Sequence, residues 1–370
     1  MHLHIVSFEI PFPANYGGVI DVYAKIEALF EAGAKIHLHC FYKDRPRADE
    51  LNLFCEEVIY YPRKAIARSL PINYPYIVQS RNSGKLLKRL RQDDYPILFE
   101  GIHTTYYLGH PRFEGRKQFV RMHNVEWEYY YQLAQREENF VKKQYFQVES
   151  RQLQHFEGIL ANADKILCIS PKDTEYYAQE FEQVEYLPAF HKNLSVSSKS
   201  GRGEYCLYHG NLSVSENHEA VMFLIHEVFS QVEIPFFIAG KDPRPELIAL
   251  INEFEHITLR HNPGDGEMLD LMRDAHVHVI PTFQSTGIKL KLINSLYNGR
   301  FVLVNPQMVH KTGLEFGCII AHEGEEFREI LTELMEVPFS EIELAQRKAS
   351  LGDMFSNRAN AEKLLNWFQE

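Results

Sequence analysis

Short apolar runs alternate with helical periodicities along the first half of the chain. The run at residues 3–8 suits a strand buried on both faces, and apolar residues then recur at helical spacing from Val19 until Gly33 ends the helix. The pattern predicts further strands at 36–41, 58–61, 97–100, 119–122 and 165–169, and further helices at 83–91, 126–136 and 140–162. Because strands and helices alternate, we expect a mostly parallel sheet with helices on both faces.

A polar segment then divides the chain. Residues 191–202, HKNLSVSSKSGR, lack apolar periodicity and are typical of a linker. After it the pattern predicts strands at 205–208, 235–239, 257–260, 277–281 and 301–304, and helices at 217–229, 245–253, 267–273 and 288–297.

We therefore predict an α/β protein with two tandem Rossmann-like, doubly wound domains, residues 1–192 and 203–355. The domains would face a cleft, because ligands of such sheets bind outside the carboxyl ends of the strands. Residues 356–370 contain an amphipathic helix, and the pattern leaves open whether it packs back on the first domain.

Composition and charge narrow the class of protein. The net charge of −11 over 370 residues argues against a general nucleic-acid binder. The five cysteines are scattered without a CxxC motif, which favours a reducing compartment. The sequence shows neither a secretory leader nor an apolar window of roughly 18 residues. We expect a cytoplasmic protein, with peripheral attachment to the inner face of the membrane left open.

The segment at residues 282–305, TFQSTGIKLKLINSLYNGRFVLVN, is the strongest candidate for binding chemistry. It is predicted to run from a strand through a turn and a helix into the next strand, and Gly287 lies where the backbone enters the helix. The N–H groups and positive dipole end of that helix would face a ligand, and Lys289 and Lys291 follow at once. A phosphate group is a suitable ligand for such a helix N-terminus. An ordinary βα unit with two solvated lysines is equally compatible with the sequence.

Two features of the first half have the same ambiguity. Gly17 and Gly18 lie where a strand turns into a helix, and they either let a ligand approach the backbone or form a simple tight turn. His123 follows a predicted strand and could hydrogen-bond a ligand near neutral pH. Alternatively, Asn124 caps the next helix and His123 is incidental.

Three HxH pairs and a basic stretch complete the candidates. No carboxylate or cysteine cluster accompanies the pairs, so we interpret them as core histidines and predict no metal site. The pairs are His2/His4, His37/His39 and His276/His278. Residues 61–92 contain no Asp or Glu, and their cations either form a solvated face or dock an anionic membrane or an acidic acceptor. The cations predicted to contact the membrane or the acceptor are Arg63, Lys64, Arg81 and Lys85.

Several short motifs, taken in order, resemble the GT-B glycosyltransferases of the large retaining family numbered four. The resemblance covers nearly the whole chain. It rests on Pro11-Phe12-Pro13 with Gly17-Gly18, on His123-Asn124 before an aromatic helix, on residues 163–170, on Tyr208-His209-Gly210-Asn211-Leu212 with Asn217, and on residues 287–299.

The resemblance implies roles for individual residues. The second domain would bind the nucleotide of a sugar donor, and Gly17 and Gly18 would face its diphosphate. Lys291 and Lys289 would neutralise the diphosphate, and His123 would lie near the transferred sugar. The implied donor-binding set in the second domain is Asn211, Thr286, Gly287, Ile288 and Asn294.

The sequence also departs from the family pattern. Family members usually carry glutamate where this chain has Asn294, often another glutamate within the turn occupied by Gln284, Ser285 and Thr286, and often arginine at the position of Asn211. An asparagine can still hydrogen-bond a ribose hydroxyl, but it brings no charge.

The implied function is metal-independent transfer of a hexose, with retention, from a nucleotide-diphosphate sugar to a glycan or lipid-linked acceptor of cell-envelope polysaccharide synthesis. The nucleotide sugar would be a co-substrate, and no other cofactor is implied. Two alternatives stay open: a nucleotide-sugar epimerase, and a GT-B-like nucleotide- or glycan-binding subunit with weakened catalysis. A dinucleotide-dependent oxidoreductase is less compatible, because neither half contains GxGxxG followed by an acidic residue.

Overall fold

A parallel sheet forms the centre of each of two structural units. The structure, a computed structural model, describes residues 1–65, 74–283 and 290–370. Within these residues the first unit holds 1–65, 74–192 and 355–370, and the second holds 193–283 and 290–354.

The sheet of the first unit has seven strands in the order β3-β2-β1-β4-β5-β6-β7, all paired in parallel. Its strands are β1 His2–Ser7, β2 Lys35–Tyr42, β3 Cys55–Pro62, β4 Ile97–Glu100, β5 Gln118–Met122, β6 Lys165–Cys168 and β7 Val184–Tyr186. The central strands are apolar and buried on both faces, as parallel sheets covered by helices require. The winding direction changes between β1 and β4.

Within the described residues, six α-helices connect these strands. They are α1 Gly17–Glu31, α2 Tyr76–Gln79, α3 Gly84–Leu90, α4 Glu126–Arg136, α5 Phe140–Phe156 and α6 Pro171–Tyr177. Buried apolar side chains form a separate core on each face of the sheet.

The second unit repeats this plan with six parallel strands in the order β10-β9-β8-β11-β12-β13. The strands are β8 Cys206–Asn211, β9 Phe236–Lys241, β10 Ile257–His261, β11 Val277–Val279, β12 Phe301–Val304 and β13 Ile319–Ile320. The helices are α7 Ser215–Phe223, α8 Pro245–Ile251, α9 Asp265–Asp274, α10 Leu290–Asn298, α11 Pro306–Val309, α12 Gly324–Glu336 and α13 Glu341–Met354. Here the winding direction changes between β8 and β11.

The last helix, α14 (Asn357–Trp367), packs on the first unit. Leu364 joins the core beside α1, and the ring of Phe368 stacks on Phe119 of β5 with the ring centroids 4.0 Å apart. The chain thus returns from the second unit to complete one face of the first sheet.

The predicted α/β class, with two doubly wound parallel sheets, is confirmed. The predicted helix at 217–229 needs a correction, because α7 continues from Leu224 to Phe229 as a π-helix. The sequence analysis predicts no element at the positions of β7, β13 and α11–α13. The polar segment 191–202 holds no helix or strand beyond an isolated bridge at Gly201. It is nonetheless anchored, because Ser197 donates from its backbone to Tyr297 O at 2.7 Å.

Among the helices that the structure describes, none combines the length and the apolarity needed to cross a lipid bilayer.

Candidate functional site

Lys291, in the first turn of α10, lies at the carboxyl end of β8. Its ammonium donates to the hydroxyl of Tyr208 at 2.7 Å and to Oδ1 of Asn217 at 2.6 Å. It also lies 4.2 Å from the centroid of the Tyr208 ring, within the range of a cation–π contact. Because this position adjoins the change of winding direction between β8 and β11, Lys291 stands where doubly wound sheets bind ligands.

Two glycines make room for this arrangement. A Cβ on Gly210 would lie 3.1 Å from Nζ of Lys291 and 3.2 Å from the carboxamide of Asn217. On the neighbouring strand, a Cβ on Gly240 would lie only 1.9 Å from the carbonyl oxygen of Gly210. The ends of β8 and β9 therefore require glycine for the close approach of backbone and ammonium.

A buried relay holds α10 in place. His278 on β11 donates from Nε2 to Met272 O at 2.8 Å, so its Nδ1 accepts from Ser295 Oγ at 3.0 Å. The same hydroxyl accepts from Nε2 of His209 at 3.0 Å. Burial lowers the pKa of His278 to about 4 and that of His209 well below its usual value, so both rings are neutral at pH 7.

Asn294, predicted to bind ribose, already has a partner inside the unit. Its Oδ1 accepts from Asn193 Nδ2 at 2.8 Å, and Asn298 donates to Oδ1 of Asn193 at 2.9 Å. A ribose contact could use the amino group of this side chain or the second lone pair of Oδ1.

Four other predicted ligands, Thr286, Gly287, Ile288 and Lys289, lie outside the described residues, as does Gln284. The roles expected for them stay predictions.

Asn211 shapes the turn that leads into α7. Its Oδ1 accepts from the backbone and hydroxyl of Ser213 at 3.0 and 2.7 Å, and its carbonyl accepts from Asn217 at 2.9 Å. Sequence reasoning missed Arg244, which follows β9 and donates to Ser215 Oγ at 3.1 Å in the same turn. The only signal in the sequence was a cation in the loop after a predicted strand.

In the first unit, His123 directly follows β5, and its side chain lies in a buried cluster of charged groups. Its Nε2 lies 2.9 Å from Oε2 of Glu100. Nζ of Lys25 lies 2.8 Å from both Oε1 of Glu100 and Oδ2 of Asp21, and Arg121 donates to Asp21 at 2.9 Å. Sequence reasoning missed the cluster, although Asp21 and Lys25 are spaced to share one helix face.

The cations of this cluster keep both carboxyl groups ionised. Burial by itself would raise the pKa of Asp21, but Arg121 and Lys25 hold it well below its usual range. Burial opposes ionisation of Glu100 too, yet Lys25 and His123 lower its pKa overall. Asp21, Glu100 and His123 have the spacing of a metal site among the residues described. However, the Lys25 ammonium bridges the two carboxylates and occupies the position that a metal ion would take.

The second ring nitrogen of His123 is also buried. Nδ1 lies 3.9 Å from Oδ2 of Asp21 and has no hydrogen-bond partner in the described part of the chain. The ring of Phe8 meets the His123 ring edge-on at 5.3 Å. Contact of His123 with a transferred sugar stays a prediction. The alternative in which Asn124 caps α4 is not supported, because α4 has Val125 at its N-cap without a side-chain cap bond.

The glycine pair begins α1. Tyr16 precedes it at the N-cap without a side-chain cap bond, and the first turn contains no acidic residue. A Cβ on Gly18 would lie 2.8 Å from Cζ of Phe8. Packing of Phe8 therefore explains why residue 18 is glycine, whereas diphosphate binding by Gly17 and Gly18 stays a prediction.

The cations predicted to dock a membrane or an acceptor differ in exposure. Arg81 is 4% exposed and donates to two backbone carbonyls at 3.0 and 2.6 Å. Burial and the nearby Arg63 lower its pKa to about 9. Arg63 and Lys64 are half-buried, and Lys85 is exposed on α3. The position of Arg81 does not suit contact with a membrane surface, so for this residue only the acceptor hypothesis stays compatible.

The HxH histidines of the first sheet bond to one another. His2 and His37 approach to 2.9 Å, and His4 and His39 approach to 2.8 Å across β1 and β2. His4 also bonds to Asp93 at 2.8 Å. His276, directly before β11, and His278, on β11, donate to backbone carbonyls of their own unit. These contacts are those of core histidines.

No family model matches the chain. A protein of Klebsiella pneumoniae described as an uncharacterized 44.6 kDa protein in the cps region is 25% identical over 339 residues, which cover 86% of this chain and 87% of that protein.

Solved structures match at low identity over nearly the full length. Sucrose-phosphate synthase from Thermosynechococcus elongatus is 16% identical with a TM-score of 0.67 over 100% of this chain and 98% of the other. A TarM variant from S. aureus, in complex with fondaparinux, α-GlcNAc-glycerol and UDP, is 10% identical with a TM-score of 0.63 over 100% of both chains. UGT89C1 from Arabidopsis thaliana, complexed with UDP, is 12% identical with a TM-score of 0.60 over 99% of both. The fold of the chain is that of the GT-B glycosyltransferases.

Proposed function

We propose that the chain is a glycosyltransferase that moves a hexose from a nucleotide-diphosphate sugar to a glycan or lipid-linked acceptor in cell-envelope polysaccharide synthesis. The GT-B fold and the relative in the cps region support this proposal. Because two of the similar structures are complexes with UDP, UDP-sugars are the first donors to test.

The observation that carries the proposal is the position of Lys291 at the carboxyl end of β8. When the bond to the sugar breaks, the departing nucleotide diphosphate gains negative charge. A cation fixed beside it stabilises the transition state more than the ground state and so lowers the barrier. An ammonium can supply this stabilisation, so we propose that transfer is independent of added metal.

The first unit would bind the acceptor, with Arg63 and Arg81 near the carboxyl ends of its strands. We further propose that the anomeric configuration of the sugar is retained. Both statements rest on the resemblance of the sequence to the retaining family.

A turnover assay with a panel of nucleotide sugars tests the proposal. The purified protein is incubated with each donor, with and without EDTA and with and without an extract of cell-envelope glycans and lipids. Release of a nucleotide diphosphate that depends on the extract and survives EDTA is the expected result. NMR of the product then gives the anomeric configuration.

The same assay separates the alternatives. Conversion of the donor sugar without any acceptor would identify an epimerase. The second alternative is a binding subunit with weakened catalysis. That protein would bind nucleotide or glycan and release no diphosphate from any donor.

A further inference from the structure

The ammonium of Lys291 is held by contacts from two separate elements. Tyr208 on β8 offers its hydroxyl at 2.7 Å and its ring face at 4.2 Å, and Asn217 on α7 offers Oδ1 at 2.6 Å. The Tyr208 hydroxyl also donates to Oδ1 of Asn217 at 3.0 Å. The three polar groups thus bond to one another.

The orientation of the amide is fixed. Nδ2 of Asn217 donates to the carbonyl oxygen of Asn211 at 2.9 Å. The oxygen of the amide must therefore face Lys291, since the opposite orientation would bring two donors together.

Both of these partners are uncharged. Burial and the nearby carboxylate of Glu216 raise the pKa of the Tyr208 phenol well above its usual value, so the hydroxyl keeps its proton at pH 7. An amide has no charge at any pH of interest. Tyr208 and Asn217 can therefore orient the ammonium without cancelling its charge.

We propose that Tyr208 and Asn217 are positioning residues that form a cradle for Lys291 and orient its ammonium toward a nucleoside diphosphate without adding negative charge of their own. The inference rests on the proposed function, and it adds two residues of the same site and the requirement that their side chains be uncharged. A carboxylate in place of the amide would hold Lys291 more tightly and yet weaken binding of the anion, because like charges oppose its approach.

Two variants separate orientation from charge. Tyr208→Phe keeps the ring beneath the ammonium and removes the hydroxyl. Asn217→Asp keeps the shape of the side chain and adds a negative charge. Tyr205→Phe is the matched control, because its hydroxyl bonds to Leu271 O at 2.9 Å and the residue belongs to the same unit.

The ligand is whichever of UDP, GDP, ADP and dTDP binds the wild type most tightly. Calorimetry measures how each folded variant binds this diphosphate and how it binds the corresponding nucleoside, which lacks phosphate. Melting curves establish that each protein is folded, and one folded variant of the two is sufficient for the test. Tyr208→Phe is expected to weaken diphosphate binding roughly 3- to 10-fold, and Asn217→Asp by about 10-fold or more. Nucleoside binding should not change, and Tyr205→Phe should bind both ligands as the wild type does.

A Lys291→Met background provides the second readout. If Tyr208 acts through Lys291, Tyr208→Phe should have no further effect on diphosphate binding in that background. Equal diphosphate binding by wild type and Asn217→Asp, or equal losses for nucleoside and diphosphate, would overturn the inference alone. Failure of the wild type to bind any of the four diphosphates would overturn the donor site and the cradle together.

Discussion

Replacement of His278 by glutamine should reduce the acid sensitivity of the second unit. Burial lowers the pKa of His278 from 6.5 to about 4. As the pH falls below 6.5, the unfolded chain takes up a proton at this position, whereas the native unit does not until the pH approaches 4. Stability is therefore complete above pH 6.5 and is lost between pH 6.5 and 4.

The size of the effect follows from the two pKa values. One unit of pKa is worth about 1.4 kcal/mol, so His278 should cost the native unit about 2 kcal/mol at pH 5 and roughly 3 kcal/mol at pH 4. Glutamine does not titrate, and its amide can still donate toward Met272 O. The variant should lose stability at pH 7.5, because Ser295 loses its acceptor, but the difference from wild type should shrink as the pH falls.

Hydrogen exchange of the peptides that contain β8 and β11 measures the stability of this unit without assuming that the whole chain unfolds in one step. The difference in stability between wild type and His278→Gln is followed from pH 7.5 to 4.5. His322→Gln is the control, since this exposed side chain meets water in the native and unfolded states alike. A difference that stays constant across this range would refute the assignment of His278 as a buried neutral ring.

Three further substitutions test other parts of the structure. Burial raises the pKa of Glu126 to about 7, so the native carboxyl group keeps a proton that the unfolded chain releases between pH 4.5 and 7. Glu126→Gln should therefore stabilise the first unit at pH 8 by up to about 3 kcal/mol in hydrogen exchange, and a lower stability than wild type would contradict this. Gly18→Ala should lower the denaturation midpoint through a cost of about 1–3 kcal/mol, because the new Cβ would lie 2.8 Å from Phe8; an unchanged midpoint would show that the ring moves freely. Asn294→Ala should weaken nucleotide binding in calorimetry, and unchanged affinity would show that this residue only anchors Asn193.

The sequence predicted the alternation of strands and helices because parallel sheets buried on both faces produce strong apolar runs. The strands at 97–100 and 301–304 and the helix at 126–136 have the predicted bounds. β7 and β13 carry no such signal, because they have two or three residues that are partly exposed. α12 had a readable signal, since Phe327, Leu331 and Leu334 recur at helical spacing and are buried.

Side-chain partners were harder to predict than elements. α10 covers Leu290–Asn298 of the described residues, which agrees with the helix predicted around Lys291. Its partners come from β8 and α7, which lie more than 70 residues away in the sequence. The cluster around Glu100 likewise joins two strands and one helix. Such contacts depend on strand order, and an apolar pattern in a single sequence does not encode strand order.

Binding of a nucleoside diphosphate through Lys291 is the central claim, and calorimetry in the presence of EDTA tests it most directly. UDP, GDP, ADP, CMP and dTDP are titrated into the wild type, into Lys291→Met and into Lys348→Met, which removes an exposed lysine of the same unit. We expect at least one diphosphate to bind the wild type and Lys348→Met equally, and to bind Lys291→Met roughly 10- to 100-fold more weakly. The claim is contradicted if no diphosphate binds, or if Lys291→Met binds as tightly as the wild type.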